Sequence, residues 1–214
     1  MAVNRTTLTL IAALALVGNA SAQTGNLLVN GSFEEGSFTG DARTSYNHVG
    51  PYGTVVTGWV GLANGFDWHQ PVEFGPTYDG YKMVDLTFYA EAGAIAQTFS
   101  TVPGTAYVLR FAVMAPADSD ASAAGLRVDV ASTSESYIVP RTSTWASSRW
   151  TPETLHFTAT DASTTLTFSG LYSNYYWGPV IDAVSVTAVP EPQAATLLLV
   201  GLGLVALKTR RRVA

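Results

Sequence analysis

The chemistry open to this chain rests on carboxylates and aromatic rings. It has no cysteine, and its three histidines, His48, His69 and His156, stand at no metal-binding spacing. Asp182 is the most informative carboxylate. It shares the period-two phase of Val180, Val184 and Val186, the phase expected to face a core. A buried, unpaired carboxylate costs on the order of several kcal/mol, so Asp182 needs a cation, dense hydrogen bonding, an arginine partner, a turn to cap, or a bulge that shifts the phase. The usual catalytic signatures are missing: there is no G-x-S-x-G, S-x-x-K or H-E-x-x-H, and no phosphate-cradling glycine loop. Glu34 and Glu35 are adjacent, and on a strand they point to opposite faces, the wrong geometry for a glycosidase pair. Asp118, Asp120, Ser122 and Asp129 imitate a calcium loop, but Ala123 stands where its turn requires glycine, so the stretch reads as a solvated loop. The sequence predicts a protein that is not an enzyme.

Aromatic residues are the stronger lead. Rings stack on the apolar C–H faces of sugars while neighbouring Asn, Asp and Gln satisfy the hydroxyls. Trp68-His69-Gln70, Tyr78-Asp79-Gly80-Tyr81 and Asn174-Tyr175-Tyr176-Trp177 all have that mixture. Trp68, Tyr175, Tyr176 and Trp177 are the candidate carbohydrate-binding residues, with packing as the competing role. Trp59 reads as a core anchor.

Something rigid must position these groups. Hydrophobic residues alternate with polar ones at Tyr107–Val113, Leu126–Val130, Leu155–Phe157, Leu166–Phe168 and Val180–Val186, with shorter runs at Asn26–Asn30, Lys82–Leu86, Gly93–Phe99 and Tyr137–Pro140. Turn formers such as Pro103-Gly104, Pro116, Gly125 and Asp161 separate them. Many short strands with regular turns predict an all-β protein, an antiparallel sandwich. Residues 35–80 lack alternation and read as long aromatic loops with one or two short strands, such as one near Val55–Val60.

The ends of the chain are of a different kind. Met1–Ala22 carries Arg5, an apolar stretch from Leu8 to Val17 and the small-residue site Ala20-Ser21-Ala22, the pattern of a secretory signal peptide. At the other end Pro190-Glu191-Pro192 is followed by the apolar run Ala194–Leu207 and then by Lys208, Arg210, Arg211 and Arg212. Spanning a bilayer takes roughly 20 apolar residues. The 14 of Ala194–Leu207 predict a short, transient inner-membrane span, with the basic cluster on the cytoplasmic side. Between the ends lies one domain, residues 23–189. Its six basic residues face fifteen acidic ones, a formal charge of −9. Such a surface repels nucleic acid and suits neutral partners or cations.

Two resemblances add to this reading. The C-terminal order of motif, apolar run and arginines resembles the bacterial PEP-CTERM sorting signal, which implies an exosortase-type processing enzyme as a partner. It also implies a surface or extracellular-matrix location after transient anchoring. Asn26-Leu27-Leu28-Val29-Asn30-Gly31-Ser32-Phe33-Glu34, Gly58-Trp59, Val84-Asp85-Leu86, Ala96-Gln97-Thr98-Phe99, Pro103–Tyr107 and Gly178–Val186 occur in the order of galactose-binding-like jelly-roll domains of the choice-of-anchor C type. That resemblance implies a jelly-roll β-sandwich that binds carbohydrate or cell-wall polymers. It also brings Glu34 and Asp182 together at neighbouring strand ends, where with the Ser32 carbonyl they would hold a structural Ca2+ through hard oxygen donors. Ala183 departs from the pattern, since relatives often carry a second aspartate there. The expected function is non-catalytic binding of extracellular polysaccharide; the alternative is a structural matrix or adhesion protein with a protein partner and no sugar pocket.

Overall fold

The computed structural model describes residues 25–40, 45–72, 74–117, 123–144, 147–172, 177–190 and 201–202. Twelve strands follow one another: β1 (Tyr46–Val49), β2 (Val60–Ala63), β3 (Phe66–His69), β4 (Met83–Asp85), β5 (Thr87–Phe88), β6 (Glu91–Ser100), β7 (Ala106–Met114), β8 (Ala123–Val130), β9 (Thr133–Pro140), β10 (Thr151–Thr158), β11 (Ser163–Gly170) and β12 (Val180–Ala188). They form two antiparallel sheets, one ordered β1-β3-β4-β12-β7-β10 and the other β2-β6-β11-β8-β9, with β5 paired to β6. This is the expected jelly-roll sandwich. Among the described residues no helix is long and apolar enough to cross a membrane. The signal-peptide residues, Glu191, Pro192, Arg210, Arg211, Arg212 and nearly all of the apolar segment 194–207 lie outside the described residues.

Alternation builds the core as expected where one strand face is wet. Leu109, Phe111, Leu126, Val128, Leu166 and Phe168 all point between the sheets. Phe111 meets Phe168 edge-on at 5.2 Å, and Phe33 lies 5.1 Å from Trp59. Trp59 is the core anchor expected of it.

Three departures matter for the site. Residues 35–80 are mainly loops as expected, but they hold three short strands, β1, β2 and β3, and every residue of β3 is buried, its polar side under loops rather than solvent. Asn26–Asn30 is not a strand; side-chain amides take the place of a ladder. Asn26 donates Nδ2–H to the Val184 carbonyl (3.0 Å), and its Oδ1 accepts from the Leu28 and Val186 amides. Gln97 accepts from Val29 N–H (2.7 Å) and donates to Val29 C=O (2.9 Å). Asn30 bonds the Glu35 and Thr57 carbonyls and the Glu35 amide. Gly31 is required where this segment passes β12, since a Cβ there would sit 1.9 Å from the Val184 carbonyl oxygen.

The third departure corrects the phase of β12. Its register shifts between Asp182 and Ser185, with Ala183 at φ 51°. Ile181, Val184 and Val186 enter the main core, whereas Val180 lies on the opposite, outer face of the six-stranded sheet. Asp182 shares that outer side by strand alternation. Loops cover this face with a second small core of Phe74, Met83, Met114 and Val180, joined by Trp150 and Trp177.

Replacing Gln97 with Ala leaves both Val29 backbone groups without partners in a half-buried setting. A stability loss of about 1–3 kcal/mol is expected in denaturant unfolding. Gln97→Glu, which can accept but not donate, should lose part of it; an unchanged midpoint for both would remove the clasp from the account.

Candidate functional site

Ser32, Glu34 and Asp182 do converge, and what they converge on is the turn 77–82. The Asp182 Oδ2 accepts the amides of Tyr78 and Asp79, each at 2.9 Å, and its Oδ1 accepts that of Ala183. Glu34 Oε1 accepts the amides of Tyr81 (2.6 Å) and Lys82 (2.7 Å). The Ser32 hydroxyl donates to Asp79 Oδ2 at 2.6 Å. Gly80, at φ 67°, passes so near Glu34 that a Cβ would lie 2.4 Å from its Oε1. Burial pushes the Asp182 carboxyl up to about 7, against the pull of the Asp79, Ala183 and Tyr78 amides, with the Asp79 charge adding to the rise. Three N–H donors therefore offset only part of its desolvation.

The candidate aromatics separate. Trp68 is corrected to a core residue. It is fully buried, its indole N–H donates to the Phe33 carbonyl at 3.0 Å, and its ring meets Phe38 edge-on at 5.0 Å with the Lys82 ammonium 5.0 Å from its centroid. No ring face is left for a sugar. Tyr175 and Tyr176 lie outside the described residues. Trp177 is partly buried, edge-on to Phe74 at 4.9 Å, and its carbonyl accepts from Arg141 at 2.6 Å. The depression beside it has a volume of about 10 Å³, room for one water and not for a sugar ring. The clamped turn carries two exposed aromatics of its own. Tyr78 and Tyr81 are 50% and 54% exposed. Trp150, whose indole N–H donates to the Pro76 carbonyl, stands edge-on to Tyr78 at 6.0 Å.

A second group had no signal in sequence spacing. His48, Asp67 and Asp85 lie side by side on β1, β3 and β4, in register across the sheet's outer face. His48 Nδ1 is 2.5 Å from Asp67 Oδ1. Asp85 is fully buried and accepts the Gly178 amide at 2.9 Å. Burial first, and then the Asp67 charge, raise its carboxyl well above the ordinary range. One pair further along, His69 is also fully buried, among Tyr46, Phe74 and Trp177. Neither of its nitrogens has a hydrogen-bond partner among the described residues. Burial, aided by His48, lowers its pKa to about 3.

The sequence of the sandwich, residues 26–187, matches the family model described as "Protein of unknown function (DUF642)". The chain belongs to that family. Residues 188–212 match the PEP-CTERM protein-sorting motif. Halomucin of Haloquadratum walsbyi is 30% identical over 186 residues, which are 86% of this chain and 2% of halomucin. The DUF642 chain thus spans a small fraction of that relative's length. Among solved structures, TmCBM61 in complex with β-1,4-galactotriose superposes with a TM-score of 0.46 at 16% identity, over 77% of this chain and 99% of that one. A family 16 carbohydrate-binding module gives 0.45 at 18% identity, over 75% and 99%. At these values the likeness is one of architecture.

His69 gives the DUF642 domain an acid-side weakness. A histidine whose folded pKa lies far below its unfolded value binds fewer protons when folded, so its contribution to stability falls as pH drops from about 6.5 towards 3. His69→Phe keeps an aromatic ring and removes the titration. Relative to wild type it should gain about 1.4 kcal/mol per pH unit between roughly pH 6 and 4 in paired urea unfolding curves. A difference that stays flat with pH would mean that His69 is not held neutral.

Proposed function

We propose that the domain binds extracellular carbohydrate without catalysing a reaction on it, and that the PEP-CTERM segment directs it to the cell surface through an exosortase-type enzyme. The turn 77–82 supports this best. Its four amides, those of Tyr78, Asp79, Tyr81 and Lys82, are tied to the Asp182 and Glu34 carboxylates, so Tyr78 and Tyr81 stand on a backbone already ordered before any ligand arrives. Pre-ordered aromatic faces lose little entropy on binding. The formal charge of −9 over residues 23–189 favours uncharged polysaccharide over acidic polymers. Trp177 packs edge-on against Phe74 in the small outer core rather than offering a stacking face.

The same turn is where a structural Ca2+ belongs in this reading. Among the described residues no three His, Cys, Asp or Glu side chains group closely enough to hold a metal. The ion would therefore use the Glu34 and Asp182 carboxylates together with backbone oxygens such as the Ser32 carbonyl, a hard-donor set that suits calcium. Its role would be to complete the charge balance of Asp182.

Affinity electrophoresis in gels of neutral polysaccharides tests the binding surface. Tyr78→Ala and Tyr81→Ala are expected to weaken binding at least about tenfold without a change in melting. Trp68→Ala should instead destabilise the fold by about 3–5 kcal/mol. Wild type unretarded on every glycan would favour a protein partner. For the ion, thermal melting in millimolar calcium should exceed that in chelator, and equal midpoints would leave the turn to its amide hydrogen bonds alone.

A further inference from the structure

The His48–Asp67–Asp85 strip is costly to bury, and the Gly178 amide on Asp85 accounts for only one end of it. Asp67 and Asp85 face each other in register on adjacent strands and are 4% and 0% exposed. Like charges directly opposite one another are destabilising, and buried carboxylates are often replaced by apolar residues with a gain. A costly polar element on a rigid sheet points to what its exposed end does. That end is His48 on β1, the edge strand of the six-stranded sheet.

His48 is 31% exposed, and its ring is fixed on several sides. It stacks on Tyr89 at 4.3 Å and meets Tyr46 at 4.8 Å and Phe88 at 5.4 Å edge-on. Burial lowers its pKa, so the ring is neutral near pH 7. A neutral imidazole that donates Nδ1–H to Asp67 keeps Nε2 as an acceptor, and no residue among those described occupies Nε2. His48 lines a groove of about 270 Å³ together with Thr39, Gly40, Tyr46 and Asn47. Asn47 is locked to Thr39: its Oδ1 accepts the Thr39 amide and its Nδ2 donates to the Thr39 hydroxyl. The second Nδ2 hydrogen and the Thr39 O–H remain as donors. Tyr89, 68% exposed, adds an aromatic face at the rim.

We propose that this groove is a second saccharide site, separate from the Tyr78–Tyr81 turn, which takes an uncharged sugar unit of a polysaccharide. A hydroxyl of one unit donates to His48 Nε2, the outer face of the Tyr89 ring covers a C–H face, and Asn47 and Thr39, on the other side of the β1 edge, donate to hydroxyl oxygens of the adjoining unit. Sugar hydroxyls both donate and accept, which matches one acceptor and two donors. The acidic domain argues against an anionic ligand. The inference shares the carbohydrate reading above but none of its residues.

Isotope-labelled protein titrated with cellohexaose, maltohexaose and a neutral β-1,4-galactan fragment tests it by NMR. At least one probe should move the His48 ring and Asn47 side-chain amide signals along a saturating curve that survives Tyr78→Ala. Tyr89→Ala, a change at an exposed position, should weaken that curve about tenfold, and His48→Phe, which keeps the ring stack, should abolish it. Signals that move only around Tyr78 and Tyr81 would overturn this site and leave the first standing. If no probe moved either group, both would fall. An Asn47 amide response indifferent to His48→Phe and Tyr89→Ala would also overturn it.

Discussion

The domain depends on how its first described segment is held without being a strand. Leu27 contributes one backbone bond, to the Val186 carbonyl, and Gly31 accepts one from Val184. Between those two ties the work passes to the carboxamides of Asn26, Gln97 and Asn30, each able to donate and accept in one plane as a peptide does. Gln97 reaches from the second sheet, so this segment is stitched to both layers. Asn30, at φ 54°, and Phe33, at φ 61°, can then turn the chain sharply. That turn sends Phe33 into the core and leaves Glu34 outside, where it reaches the turn 77–82. Without the clasp there is no fixed Glu34, and without Glu34 one half of the turn loses its acceptor.

The outer face of the six-stranded sheet follows from a second constraint. No helix covers it among the described residues, so loops must, and loops bring carbonyls and amides that need partners. Two buried acids answer part of that need: Asp182 satisfies Tyr78 and Asp79, and Asp85 satisfies Gly178. Arg141 answers another part by donating to the carbonyls of Pro116 and Trp177. The charged residues on this face are thus largely the means by which irregular chain is pinned to regular sheet. His48 and Asp67 add a contact between two side chains to this set.

Much of the fold was legible because β8, β10 and β11 each have one largely wet face, which writes period two into the sequence. β3 was not legible, since Phe66 and Trp68 enter the main core while Asp67 and His69 are buried under loops. Its alternation of aromatic and polar residues was the available signal. For Asp182 the sequence showed a carboxylate that must be buried and satisfied, and dense hydrogen bonding was among the answers it allowed. The bulge at Ala183 decided which face, and nothing in the order Asp-Ala-Val announces a bulge. Trp68 misled because an aromatic beside His and Gln looks the same in sequence whether its faces are open or filled by Phe38 and Lys82. His48, Asp67 and Asp85 share no spacing at all, because sheet register alone makes them neighbours.

The join between sandwich and sorting segment is also mechanical. The PEP-CTERM match begins at residue 188, where β12 ends, and β12 is an interior strand flanked by β4 and β7. Val189 is still tied to the Ala106 carbonyl at 2.9 Å. Force applied through the C-terminal segment therefore runs along a strand bonded on one side to β7 and on the other to β4 and then to the Asn26 clasp. Such a pull loads many hydrogen bonds in shear at once, whereas an edge strand such as β1 or β10 would have neighbours on one side only. The clasp that shapes Glu34 and its turn thus also reinforces β12, the strand that runs into the sorting segment.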